Sequence, residues 1–261
     1  MRTELVSEPG DPARPNEDFA GVLLPASGRG GTLVVLDGVT PPRGATGCLH
    51  SVPWFTARLG GALTELTVSR PDMPLAEALA HAIGRTAGLH ADTCDLSHPR
   101  TPQATVVLAR WQGDAVEYLV LSDSALLVES PDGKVTPFLD DRLARLPRSA
   151  LATDAMVDAE LRNREGGFFT AAADPSVAAR AVTGTLPRSE VRALVALTDG
   201  ATRWVETFRE GGWADCLDVV RAEGAEALVE RVRVLERADT GRVFLRRSKT
   251  HDDATVVYAE L

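Results

Sequence analysis

Five groups of acids in this chain adjoin short apolar runs. Glu17-Asp18 precedes 19-FAGVLL-24, and Asp37-Gly38 follows 32-TLVVL-36. Ser122-Asp123-Ser124 separates 116-VEYLVL-121 from 125-ALLVES-130, Asp199-Gly200 follows 193-ALVALT-198, and Asp252-Asp253 precedes 254-ATVVYAE-260. Acids at strand ends from distant parts of a chain can converge on one rim of a sandwich, and oxygen donors of this kind suit Mg2+ or Mn2+ rather than zinc. Gly38 and Gly200 let the backbone turn sharply or come close, and a glycine carbonyl can itself bind a hard cation. Each Asp-Gly or Asp-Asp pair taken alone is an ordinary turn former. Five of them, each abutting a strand, favour a shared site.

The elements that must position these acids follow from hydrophobic period and turn residues. Apolar runs, the six above with 104-ATVVLAR-110, predict strands. Helical segments are expected at 49–66, 74–90, 154–165, 175–183 and 213–238, with Pro74 suited to the first turn of the second. Strands meet in hairpin-like pairs at 111-WQGDA-115 and 130-SPDGK-134, and helices come in neighbouring pairs, so the order is not the βαβα alternation of a parallel sheet. Antiparallel sheets packed together with helices outside are expected, without a linker, as a single domain over 1–261.

Composition narrows the function. With 261 residues, 44% hydrophobic and 25% charged, the chain can bury a sizeable core. A formal charge of -9 without a basic stripe argues against nucleic-acid and anionic-membrane partners. The leader MRTELVSEPGDPARPNED lacks an apolar h-region, and nowhere do about 18 apolar residues run together, so a cytoplasmic location is expected. Cys48, Cys94 and Cys216 fit reduced thiols better than a disulfide framework.

The ordered series 16-NED-18, 33-LVVLDG-38, 101-TPQATVVL-108, 119-LVLSDSALL-127, 194-LVALTDG-200 and 252-DDATVV-257 resembles the metal-dependent protein phosphatases of the type 2C family. The resemblance implies an α+β fold, a four-layer α-β-β-α sandwich of two antiparallel sheets flanked by helix pairs. It further implies hydrolysis of phosphoserine and phosphothreonine esters by a water that bridges two Mn2+ or Mg2+ ions. Carried over by position, Asp37 would bridge both ions and Gly38 would offer its carbonyl. Asp199 and Asp252 would hold the first ion, Glu17 and Asp18 the second, and Asp123 matches the acid associated with a weaker third. The substrate would be a phosphorylated protein, or a small phosphoester on the same fold, and the protein is expected to be a monomer. A catalytically weak module that binds phosphoproteins and regulates a partner is the alternative.

Three positions depart from the family pattern. Val39 stands where many members carry a histidine proposed to protonate the leaving alcohol, which makes His50 the nearest candidate acid; the competing reading of His50 is a packing or capping residue. Ala13 stands at the spacing of the usual phosphate-binding arginine, with Arg14 one residue closer as its candidate substitute and a solvated charge as the bland reading. Arg203 stands four residues after Asp199, often an acid, and a cation there would discourage a third ion at Asp123.

Two further stretches carry weaker signals. His90, Cys94 and His98 have a spacing that metal ligands sometimes take, yet only one Cys lies among them, and a polar loop with ordinary histidines is the expectation. The basic stretch 239-DTGRVFLRRSK-249 could attract an anionic substrate, with a charged surface loop as the plainer expectation.

Overall fold

The computed structural model describes residues 1–25, 29–42, 44–245 and 249–261. Among the described residues ten strands form two sheets, every strand pairing antiparallel. The first sheet runs β1 (Thr3–Glu8), β10 (Ala254–Glu260), β9 (Ala193–Leu197), β6 (Ala125–Glu129), β7 (Val135–Leu139). The second runs β2 (Phe19–Leu23), β3 (Gly31–Leu36), β4 (Val106–Gln112), β5 (Ala115–Leu121), β8 (Val182–Pro187).

Side-chain alternation along each central strand builds three apolar layers. Leu33, Val35, Val107 and Val120 of one sheet meet Leu126, Leu194, Ala196 and Val257 of the other. The opposite faces are covered by helices. Val34, Leu36, Leu108 and Leu119 pack on α1 (Val52–Ser69) and α2 (Leu75–Gly88) through Phe55, Leu59 and Leu79. Leu127, Val195, Leu197 and Tyr258 pack on α5 (Asp199–Glu206), α6 (Trp213–Glu223) and α7 (Ala225–Ala238). The result is the expected α-β-β-α sandwich, and double coverage is why the central strands read as unbroken apolar runs. Leu33 to Leu36 are wholly buried, each contributing about 1.5–3 kcal/mol.

Several expected elements differ. The segment 213–238 is two helices, because Gly224, at φ +100°, ends α6, and the Glu4 carboxylate accepts the Ala225 N–H at 2.8 Å to start α7. The stretch 175–183 is a 3-10 turn (Pro175–Arg180) leading into β8. The stretch 154–165 holds only α4 (Asp154–Met156) and one wide turn, while the single turn α3 (Arg142–Arg145) and the site helix α5 were not expected. Among the described residues no helix is long and apolar enough to cross a membrane.

Candidate active site

The strand ends deliver the acids to one rim. Asp37 leaves β3 beside the segment that enters β4. Its backbone carbonyl accepts the Thr105 N–H at 2.9 Å, its N–H donates to Thr105 Oγ1 at 3.3 Å, and Val39 N–H donates to the Gln103 carbonyl at 2.9 Å. Thr101 to Thr105 is therefore the clamp that fixes the direction of the Asp37-Gly38 turn. Gly38 lies so close to the Glu17 backbone that an added Cβ would sit 2.4 Å from the Glu17 carbonyl oxygen and 2.5 Å from Val52 Cγ1. This close approach, and no turn preference, is what requires glycine here. At Gly200 an added Cβ would sit 2.0 Å from the Asp253 carbonyl oxygen, so the start of α5 is pressed against the segment Asp252-Asp253 that leads into β10.

Electrostatics identify Asp37 as the hub. Its proton affinity is raised well above the ordinary carboxylate value by burial first, then by Asp199, Asp18, Asp123 and Asp252. Asp199 is pushed up to about 7 by burial and by Asp252 and Asp123, partly offset by Arg203 and by a hydrogen bond from Asp37. Asp18 is pushed up to about 7 by burial, although Thr255 Oγ1 at 2.7 Å and Thr198 Oγ1 at 3.0 Å both donate to its Oδ2. Its other oxygen, Oδ1, is buried without a hydrogen-bond partner. Glu17 is raised by burial and eased by a donor from Thr40 and by the charges of Lys249 and Arg14.

These residues fit hard divalent cations. The donors are all oxygen, the acids lack enough positive charge to ionise together, and Asp18 holds an unsatisfied buried oxygen; bound cations would remove both deficits. Asp253 behaves differently from its neighbour. Both its oxygens accept backbone donors, Gly10 N–H at 2.7 Å and Glu17 N–H at 2.6 Å, so it ties the N-terminal segment to β10.

The other sequence candidates fall as follows. Asp123, after Ser122 at φ +69°, accepts from Ser122 Oγ at 3.1 Å and is raised by burial, with Asp140 and Arg162 as its charged neighbours. Arg203 was expected to repel a cation at Asp123; instead its guanidinium is committed to Asp252, at 3.0 Å, and to the buried Glu236. Arg14 is exposed, in a turn where its N–H donates to the Asp11 carbonyl at 2.9 Å, and it lines a small cleft with Glu17, Thr40, Lys249 and Asp252. His50 sits apart from the carboxylates' own hydrogen bonds, against Trp54 at 4.0 Å between ring centroids and with Nδ1 3.4 Å from Cys94 Sγ.

Two residues with site contacts are not apparent from the sequence. Lys249 closes the basic stretch 239–249, of which Arg246, Arg247 and Ser248 lie outside the described residues, and its Nζ donates to Asp252 Oδ1 and Thr40 Oγ1, both at 2.6 Å. Glu206, at the far end of α5, is raised by burial and by Asp123. Its position two turns after Asp199 on one helix was the available signal.

Comparison with known proteins agrees with this architecture. The family model described as "Protein phosphatase 2C" matches residues 13–233. The Mycobacterium tuberculosis serine/threonine phosphatase PstP/Ppp superposes with TM-score 0.60 at 18% identity, covering 100% of this chain and 98% of that one. The catalytic domain of PstP in complex with two manganese ions superposes with TM-score 0.58 at 18% identity over 99% and 97% of the two chains. The Staphylococcus aureus serine/threonine phosphatase Stp1 gives 0.58 at 13% identity over 100% and 95%. At such identities the superpositions speak for the fold alone. No curated protein sequence matches the chain. A family match over 13–233, on a sandwich whose strand ends gather acids around Asp37, leads to one conclusion: the chain belongs to the protein phosphatase 2C family and is a phosphoric monoester hydrolase.

Proposed function

We propose that the chain removes phosphate from phosphoserine and phosphothreonine in proteins, using two Mn2+ or Mg2+ ions. The observation that carries this reading is the raised proton affinity of Asp37 among Asp199, Asp18, Asp123 and Asp252, a concentration of negative charge with no structural purpose of its own. Asp37 would serve both ions, with Asp199 and Asp252 on one side and Glu17, Asp18 and the Gly38 carbonyl on the other. The ions would supply activation of water and neutralisation of charge on the phosphoryl oxygens. The two manganese ions bound by the catalytic domain of PstP support the choice of ion.

The chain's own residues have distinct tasks in this scheme. Thr105 and the tight Gly38 contact hold Asp37 in place. Arg14 and Lys249 present positive charge at the cleft beside Glu17, where an incoming phosphate dianion is attracted. Val39 carries no proton, so the departing alcohol takes its proton from solvent.

The weaker, regulatory reading draws on one observation: both Asp252 oxygens are already held by cations, Lys249 and Arg203. Hydrolysis of p-nitrophenyl phosphate decides between them. Manganese-dependent turnover lost with EDTA and with Asp37→Asn supports the enzyme, whereas well-folded, manganese-loaded protein inert across pH supports the binding module. Release of phosphate from phosphoserine and phosphothreonine peptides, compared with small phosphoesters, then reads the substrate class.

A further inference from the structure

Away from the carboxylate rim, four side chains of a different chemistry converge. Cys48 and His50 lie just before α1, whose N-cap is Ser51, and His90 and Cys94 lie in the turns just after α2. α1 and α2 pack against each other through the core under the second sheet, which brings the start of one beside the end of the other. Cys48 Sγ is 3.1 Å from Cys94 Sγ, 3.4 Å from His90 Nδ1 and 3.7 Å from His50 Nδ1, and Cys94 Sγ is 3.4 Å from His50 Nδ1. The four donor atoms all lie within 4.8 Å of one another.

We propose that Cys48, His50, His90 and Cys94 form a closed tetrahedral site for a structural Zn2+. With zinc–sulfur bonds of about 2.3 Å and zinc–nitrogen bonds of about 2.0–2.1 Å, tetrahedral neighbours stand roughly 3.3–3.8 Å apart; the three sulfur–nitrogen spacings of 3.4, 3.7 and 3.4 Å fall in that range, and the two sulfurs, at 3.1 Å, would move apart to admit the ion. The donor set is the one zinc prefers, two soft thiolates and two imidazoles, and it excludes the hard ions that suit the carboxylate rim. Zn2+ would replace the two thiol protons, so the filled site is electrically neutral. Four protein ligands leave no open position, which makes the role structural.

Three further features point the same way. Leu49 N–H points at Cys94 Sγ and His50 N–H at Cys48 Sγ, each at 3.4 Å, the donors that metal-bound thiolates accept. His90 is 2% exposed and its Nε2 has no partner, so its polar contact is the Nδ1 side that faces sulfur. The loops are preformed: Gly47, at φ +69°, has its carbonyl bonded by Asp95 N–H at 2.7 Å, and Trp54 stacks on His50 and meets His90 edge-on. A disulfide between Cys48 and Cys94 would account for neither histidine, and the sulfurs stand about 1 Å beyond bonding distance.

Sequence spacing groups His90 with Cys94 but not with their partners, since Cys48-x-His50 lies some forty residues earlier. His98, grouped with them by spacing, instead receives the Arg100 N–H at its Nδ1 and packs against Gly47. The segment leaving Asp37 runs into Cys48, and the segment after Cys94 returns to Thr105, which clamps Asp37. Zinc would thus close the loop pair that holds the hub carboxylate.

The test is zinc content of protein purified without chelators under reductant. Roughly one zinc per chain is expected, retained in Asp37→Asn and lost in the Cys48→Ser/Cys94→Ser double variant. Cobalt substitution should give thiolate-to-metal charge-transfer absorption. Zinc-free reduced protein that takes up cobalt without such absorption overturns the proposal. So does zinc lost in Asp37→Asn and kept in the double variant, since the rim is then its host. Should the double variant fail to fold, X-ray absorption of the wild-type zinc protein replaces it: a shell of two sulfurs and two nitrogens supports the site, and a shell without sulfur overturns it. His50→Ala loses zinc if His50 is a ligand; retention of full zinc with slowed turnover of unactivated esters returns His50 to acid catalysis.

Discussion

Arg203 Nη2 donates to Asp252 Oδ2 at 3.0 Å and so commits one oxygen of the Asp252 carboxylate. Lys249 Nζ holds the remaining oxygen at 2.6 Å. Arg203 is buried and also bound to Glu236, whereas Lys249 is substantially exposed, so Lys249 is the partner that yields to an incoming cation.

Removing that competitor should favour metal. Lys249→Met is expected to tighten Mn2+ binding about two- to fivefold, the size of one exposed ion pair. Titration of Mn2+ followed by electron paramagnetic resonance reads it. Unchanged or weaker binding means that Lys249 does not compete for Asp252.

The metal-free protein should lose stability as pH rises. Asp18 and Asp199 are held near about 7 and Asp37 is raised well above its ordinary value, so between about 4 and about 7 the folded state binds more protons than the unfolded state. Their contribution is present at low pH and fades as pH passes through the folded values. Melting in EDTA should therefore fall from pH 5 to pH 8, with saturating Mn2+ flattening the slope. A flat metal-free profile would contradict the burial of these charges.

Asp37→Asn separates stability from function. It removes the carboxyl most opposed by its neighbours, so without metal at pH 8 the Tm should rise by about 2–4 °C, the shift that 1 kcal/mol gives a chain of this size. Phosphatase activity and Mn2+ binding should both be lost. A lower Tm in the variant would mean that Asp37 is stabilising as a hydrogen-bond partner.

Gly38→Ala should cost about 1–3 kcal/mol, because the new Cβ meets the Glu17 backbone carbonyl and the buried Val52 side chain together. Gly61→Ala, in α1 with nothing within 4 Å of the added atom, should instead gain about 0.5–1 kcal/mol. Urea denaturation of the pair tests close approach against general intolerance of substitution.

Asp253→Ala should release the N-terminal segment. Two charged hydrogen bonds to Gly10 and Glu17 are lost, at about 1.5–3 kcal/mol each before relaxation. Mn2+ stoichiometry should fall from two to one as Glu17 and Asp18 lose their anchor, while Asp199 and Asp252 keep theirs. Retention of both ions would show that β2 alone positions Glu17.

The sequence by itself determined the central strands and the acids at their ends. β3, β4, β6, β9 and β10 are covered on both faces, so apolar residues run through their centres, and a turn acid next to such a run is visible in one dimension. It could not display β1, β7 and β8, which lie at sheet edges and alternate or carry Pro137 and Gly184. Nor could it separate Asp252, left facing cations, from Asp253, consumed by backbone amides, since adjacent identical residues differ only in what surrounds them. Lys249 on Asp252, Arg203 paired with Asp252 and Glu236, and Cys48 with His50 brought to His90 and Cys94 were all decided by tertiary packing. Each joins residues distant in sequence, and local preference carries no information about which distant partner the folded chain will supply.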